Sequence, residues 1–156
     1  MYKSTKTFHF LPCAHRQWRD KGDCKFIHGY DRSVKLVFEC HYLDDKNWVM
    51  DFGGLKEFKN WLEYMFDHTV LVAEDDPKLD LFKQLNSMGD GYNAKGICDL
   101  RIVPGVGCEK FAELCYKKMA ELLEEDKKAT RALNPTVRLK SVEVFEHGAN
   151  SAIYEG

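Results

Sequence analysis

The stretch HGYDRSVKLVFECH, residues 28–41, decides the fold. Val34, Leu36, Phe38 and Cys40 fall on one side of an extended chain, and Ser33, Lys35 and Glu39 on the other. A two-residue period of this kind is a strand with one face in a core and one toward water. Upstream, Thr7, His9 and Leu11 alternate with Phe8 and Phe10, which predicts a first strand over residues 6–16 and a polar loop over 18–23. Downstream, Asp44-Asp45-Lys46-Asn47 reads as a turn.

Helical spacing takes over at residues 54–66, where Leu55, Phe58, Leu62 and Met65 form one apolar stripe. Asp75-Asp76-Pro77 opens a short helix carrying Leu79 and Phe82. Residues 87–96 are Gly-rich and polar, a surface loop, and 97–103 a short strand. A second long helix follows Gly107 to about residue 125, with Phe111, Leu114, Cys115, Met119 and Leu122 on its stripe. Asn134-Pro135 breaks the chain before a strand over 136–146, a turn at 148–150 and a last strand over 151–155. The order predicts one α+β domain, residues 1–156, with helices on one face of an antiparallel sheet. Open edges of such a sheet invite pairing with further copies, a structural reason to expect a homo-oligomer.

The composition agrees. The chain has 156 residues, 44% hydrophobic and 31% charged, which suits a single globular domain. Lys plus Arg number 23 and Asp plus Glu 25, a net charge of −2 that argues against nucleic-acid or membrane binding by bulk charge. No stretch approaches the ~18 apolar residues of a membrane span. The amino-terminal residues do not read as a signal peptide, so a cytoplasmic location and reduced cysteines are expected.

Four groups of residues could carry chemistry. His15 ends the first strand and His28 heads the second, so adjacent strands would bring two imidazoles together; otherwise they are unrelated surface or core histidines. Tyr30 points to the same side as His28, and Gly29 between them allows a backbone or a ligand close approach. Two imidazoles and a third ligand would make a catalytic metal site with an open position. Cys24, four residues before His28, is a nucleophile or base if a cation lies near, and an inert loop thiol if not. Asp67-His68 would make a general acid/base pair only where helical geometry breaks, since neighbours on a helix do not face each other. Glu146 closes a strand and could accept two hydrogen bonds from the N–C–N edge of a pterin or guanine, or simply be solvated.

Together and in order, these residues resemble the 6-pyruvoyltetrahydropterin synthase / 6-carboxytetrahydropterin synthase family. The matching string is FLPCAH at 10–15, CKFIHG at 24–29, VMDF at 49–52 leading into Leu55-Lys56, Asp67-His68, Cys108-Glu109 at the second long helix, and Glu146. The resemblance spans about residues 6–155. It implies the tunnelling fold, whose subunits join their sheets into a β-barrel as trimers that stack into hexamers, with active sites between subunits. It implies zinc, with His15 and His28 as two ligands, and Cys24, Asp67 and His68 as proton-transfer groups. Glu146 would anchor the pterin ring, with Cys108 and Glu109 at the substrate. The implied reaction is a lyase step on 7,8-dihydroneopterin triphosphate. The short spacing from Cys24 to His28 resembles the carboxytetrahydropterin enzymes, whose product leads to 7-deazaguanine bases and queuosine. The alternatives are the 6-pyruvoyl product, or a non-catalytic pterin- or purine-binding homologue.

Two departures stand out. The family's third ligand is the second histidine of H-G-H, and Tyr30 takes that place, so either its phenolate completes the site, or another side chain or water substitutes, or metal affinity is low; a harder metal such as iron is a further option. Before the second long helix the family has Pro-Thr-Ser-Glu, where this chain has Val106-Gly107-Cys108-Glu109, so hydroxyl contacts are lost while helix-start N–H groups remain.

Overall fold

A computed structural model describes residues 1–89, 96–129 and 134–156. The expected loop over 87–96 falls mostly outside them. The strands are β1 (Tyr2–His15), β2 (His28–Cys40), β3 (Thr69–Ala73), β4 (Leu100–Val103), β5 (Arg138–His147) and β6 (Asn150–Tyr154). The helices are α1 (Lys56–Phe66), α2 (Leu79–Ser87) and α3 (Cys108–Lys128). One sheet takes all six strands in the order β4-β3-β1-β2-β5-β6.

The antiparallel centre is as expected: β1 pairs β2, β2 pairs β5 and β5 pairs β6. The sheet as a whole is mixed, because β3 joins β1 in parallel and β4 joins β3 in parallel. Residues 69–73, TVLVA, are a short unalternating apolar run just after a helix, and parallel strands buried on both faces carry that signature rather than a two-residue period. Leu71 and Ala73 join the main core, while Val72 is buried on the alternate side. α2 packs on β3 and β4 and buries Phe82.

The main core lies between the sheet and α1 and α3. Val34, Leu36, Phe38 and Cys40 are all buried there, with Val142 and Val144 of β5 beside them. α1 contributes Phe58, Leu62 and Phe66, so its stripe ends on Phe66 while Met65 is only partly buried. α3 contributes Phe111, Ala112, Cys115, Met119, Leu122 and Leu123. Each fully buried large apolar side chain contributes roughly 1.5–3 kcal/mol, enough for this layer to fix which face of each strand points inward. β4 and β6 are the edge strands.

The alternation expected for the first strand breaks at one place. Phe8 pairs Val34 and Leu11 pairs Arg32, so His9 and Phe10 together stand opposite a single residue. Phe10 takes a positive φ of 64° and is 79% exposed. This β-bulge resets the side-chain phase. Phe8 faces the helices, and beyond the bulge Leu11, Cys13 and His15 do so, all of them buried. Unbroken alternation from Phe8 would have turned His15 to the opposite face.

Candidate active site

With the phase reset, His15 pairs directly with His28 at the open end of the β1–β2 ladder. Their ring centroids lie 4.6 Å apart, and Tyr30 stands 6.3 Å from His15 and 5.6 Å from His28. Gly29 makes the close pairing possible: a Cβ there would sit 2.6 Å from the Cys13 carbonyl oxygen. The glycine therefore admits the neighbouring strand's backbone rather than a ligand. Phe111 of α3 supports His15 edge-on at 5.9 Å, and His147 at the end of β5 lies 6.0 Å from Tyr30.

Arg32 completes the cluster, and it is absent from the set of site residues expected from the sequence. The residue is 1% exposed. One guanidinium nitrogen lies 3.3 Å from His15 Nδ1 and another 3.7 Å from the Cys108 thiol. The rings of Tyr30 and Phe111 face it at 5.3 and 4.9 Å. The signal was in the strand period: positions 28, 30, 32 and 34 share the helix-facing side, and a charged residue at a core position is the anomaly that marks a site.

The two histidines are wired in opposite senses. His28 Nδ1 lies 2.7 Å from the Phe26 carbonyl oxygen, which can only accept, so Nδ1 carries the hydrogen and Nε2 offers a lone pair. His15 Nδ1 faces a guanidinium, which can only donate, so Nδ1 accepts and Nε2 carries the hydrogen. Burial, then the Arg32 charge, then His28 push the His15 pKa down to about 4, so its ring is neutral at pH 7.

A metal-bound histidine presents a lone pair to the metal and donates its other N–H outward to a carbonyl or carboxylate. His28 meets that requirement; His15 does not. Tyrosine is not among zinc's usual donors, and among the described residues no group of three or more His, Cys, Asp or Glu is placed to hold a metal ion. The residues present do not match zinc's usual donor set.

Asp67 and His68 form the pair that the sequence allowed only with a helical break. α1 ends at Phe66, Asp67 is extended, and His68 adopts a left-handed φ of 59°. The turn sets Asp67 Oδ1 2.6 Å from His68 Nδ1. The His68 backbone N–H donates to the Pro12 carbonyl at 2.7 Å, tying the turn to β1. The His68 side chain is 85% exposed and makes no contact with the His15 cluster among the described residues. Cys24 sits exposed in a short 3₁₀ turn, Asp23–Lys25, and no contact of its thiol with the cluster is found among the described residues. Its backbone carbonyl accepts from Gln17, which closes the loop between the first two strands.

Glu146 follows Phe145, which pairs Ser33, and sits at the irregularity between Phe145 and His147 at the half-buried end of β5. Its charge acts on the Cys108 thiol, which also donates to the Val144 carbonyl at 2.9 Å. Cys108 is therefore engaged inward and buried, and burial raises its pKa together with those of Cys13 and Cys115. Glu109, one residue on, is exposed in the first turn of α3. Arg16, next to His15, grips the buried Asp76 carboxylate through two hydrogen bonds of 2.8 and 2.6 Å, which holds the end of β1 against the segment leading to α2.

Comparison with known proteins meets this geometry. The family model described as 6-pyruvoyl tetrahydropterin synthase matches residues 3–156. The chain belongs to that family. A protein of Rickettsia typhi named 6-carboxy-5,6,7,8-tetrahydropterin synthase is 28% identical over 105 residues, covering 67% of this chain and 71% of the relative. One of the same name from Aquifex aeolicus is 22% identical over 99% of this chain and 98% of its own. Among solved structures, an uncharacterized protein from Wolinella succinogenes superposes with a TM-score of 0.79 at 19% identity, covering 99% of this chain and 98% of that one. The 6-pyruvoyl tetrahydropterin synthase of Plasmodium vivax gives a TM-score of 0.68 at 17% identity over 100% of this chain and 99% of that chain. The expected tunnelling fold is thus shared along the whole chain. No described helix is long and apolar enough to cross a membrane.

Proposed function

We propose that this member of the family is a lyase that converts 7,8-dihydroneopterin triphosphate and water to 6-carboxytetrahydropterin, releasing acetaldehyde and triphosphate. Relatives named 6-carboxy-5,6,7,8-tetrahydropterin synthase support the choice of product. The observation that carries a proton-moving role is the Asp67–His68 hydrogen bond of 2.6 Å, held by the left-handed turn. Asp67 accepts from Nδ1 and so fixes the tautomer, leaving His68 Nε2 free to take and return a proton at the substrate's side-chain carbons. Cys24 is the second proton-transfer group in this reading. Glu146 holds the N–C–N edge of the pterin as a two-oxygen acceptor, with the helix-start residues Cys108 and Glu109 bordering the ring.

Asp67, His68 and Cys24 are exposed in the single chain, so the reading includes a homo-oligomer, a trimer or a pair of trimers, in which they face the cleft of a second copy. A cytoplasmic place and a 7-deazaguanine precursor as end product go with the same reading. No step is routed through a metal, since the donor set is short of zinc's usual ligands.

The test is incubation of the full chain with 7,8-dihydroneopterin triphosphate and mass analysis of the products. Acetaldehyde with 6-carboxytetrahydropterin is the expected outcome. A product retaining every side-chain carbon would assign the 6-pyruvoyl activity instead. Tight pterin binding without triphosphate release would make the chain a binding homologue, a reading that Tyr30, in place of a histidine, keeps specific.

A further inference from the structure

Arg32 is a buried cation with no matching anion among the described residues. It faces the helices from β2, and among the described residues its Nε–H finds no hydrogen-bond acceptor. Its partners are His15 and the thiols of Cys108 and Cys13, all neutral, and no ion pair to a carboxylate is found for it among the described residues. Removing a guanidinium from water is unfavourable unless charge and hydrogen bonds replace the hydration, and two aromatic faces do this only in part. Unused donors on a buried guanidinium mark a place for an oxygen-rich group.

Its position says which group. Arg32 touches His15 and stands under Tyr30, so it lies where a divalent cation bound by His15 and His28 would have to be balanced. A cation at that point would meet both the guanidinium charge and the Nε2–H of His15, and both oppose it. We propose that Arg32 is the resident cation of this site in place of a divalent metal, and that its unpaired Nε–H binds a side-chain oxygen of a reduced pterin, hydroxyl or carboxylate. The ligand's identity rests on the lyase reading; the replacement of the metal does not. His15 Nε2–H then adds a neutral donor and His28 Nε2 an acceptor, so the cluster offers both polarities to a polyhydroxy side chain with no covalent step at Arg32.

Two measurements on the full chain test this. In the first, protein is incubated with zinc sulfate, desalted and assayed for bound metal. Wild type should retain far less than one zinc per chain, as should Tyr30→His, because the guanidinium is still present. The double variant Tyr30→His/Arg32→Gln, with three imidazoles and no buried cation, should retain about one. Stoichiometric zinc in wild type, lost in His28→Ala, would overturn the proposal. In the second, binding of 6-carboxypterin and of pterin lacking the side chain is compared by fluorescence in EDTA. Wild type should favour the carboxylate by roughly 100-fold, on the scale of one lost oxyanion donor. Arg32→Gln should lose that preference while still binding unsubstituted pterin, and Arg32→Lys should keep part of it. Equal binding of both pterins by folded wild type would also overturn it. If no acetaldehyde forms with or without zinc, the lyase reading fails, and these binding results still decide Arg32 separately.

Discussion

Two histidines in this molecule are each set against one charged side chain, in opposite surroundings. His15 is 6% exposed and meets the Arg32 guanidinium; the His68 side chain is 85% exposed and meets the Asp67 carboxylate. The cation forces the His15 hydrogen onto Nε2 and, with burial, keeps the ring neutral. The carboxylate takes the Nδ1 hydrogen of His68 and leaves Nε2 open to solvent or substrate. One side chain is thus a fixed donor inside the domain and, outside it, a ring with an open Nε2 that suits the proton-carrying role proposed for it. The difference comes entirely from the partner's sign and from access to water.

The largest effect that would sharpen this contrast is on turnover. His68→Ala should lower kcat by roughly 10²–10⁴-fold, the usual contribution of a positioned acid/base, and leave the thermal midpoint near that of wild type because the ring is exposed. An unfolded variant, or undiminished kcat in a folded one, would remove His68 from the proton path.

Next in size is acid stability, which reads the buried member alone. The His15 pKa falls from 6.5 in the unfolded chain to about 4 in the fold. Above pH 6.5 both states are neutral at this site and it costs nothing. As pH falls from 6.5 to 4 the unfolded chain takes up a proton that the folded chain refuses, so stability is lost across that window. The loss from this group is on the order of 3 kcal/mol. Denaturant melts of wild type and His15→Gln should differ in slope against pH between 6.5 and 4, with the variant flatter; parallel slopes would refute the buried neutral ring.

The smallest effect lies in the bulge that turned His15 inward. Phe10 holds a left-handed φ with its side chain in solvent. That conformation costs a non-glycine residue roughly 1–2 kcal/mol, partly offset in a glycine variant by the more flexible unfolded chain. Phe10→Gly should therefore raise stability by about 1 kcal/mol and leave pterin binding intact. A drop in stability would mean that the phenyl ring contributes packing that its exposure does not suggest.

Much of this was legible in the residues. Alternation from Ser33 to Cys40 gave β2 with its faces correct, and the stripes of Phe58 and Leu62, and of Phe111, Cys115 and Met119, gave α1 and α3. The Asp67–His68 pair was legible as a condition, a break in helical geometry, and the left-handed turn meets it. β3 was hidden because its pairing is parallel and its apolar run lacks a period. The faces of β1 were hidden because one residue with positive φ inverts every side chain beyond it, and neither His9 nor Phe10 has turn chemistry that announces it.

The sequence alone determined the family, the α+β class and the order of chemistry-bearing residues, because each is written in spacing along the chain. Only the tertiary structure decided that His15 faces His28, that Arg32 is buried between His15 and Cys108, and which nitrogen of each ring holds its hydrogen. The reason is that these facts depend on strand phase and on what is packed across the gap. A donor-only guanidinium on one ring and an acceptor-only carbonyl on the other fix opposite tautomers, and nothing local to either histidine encodes that choice.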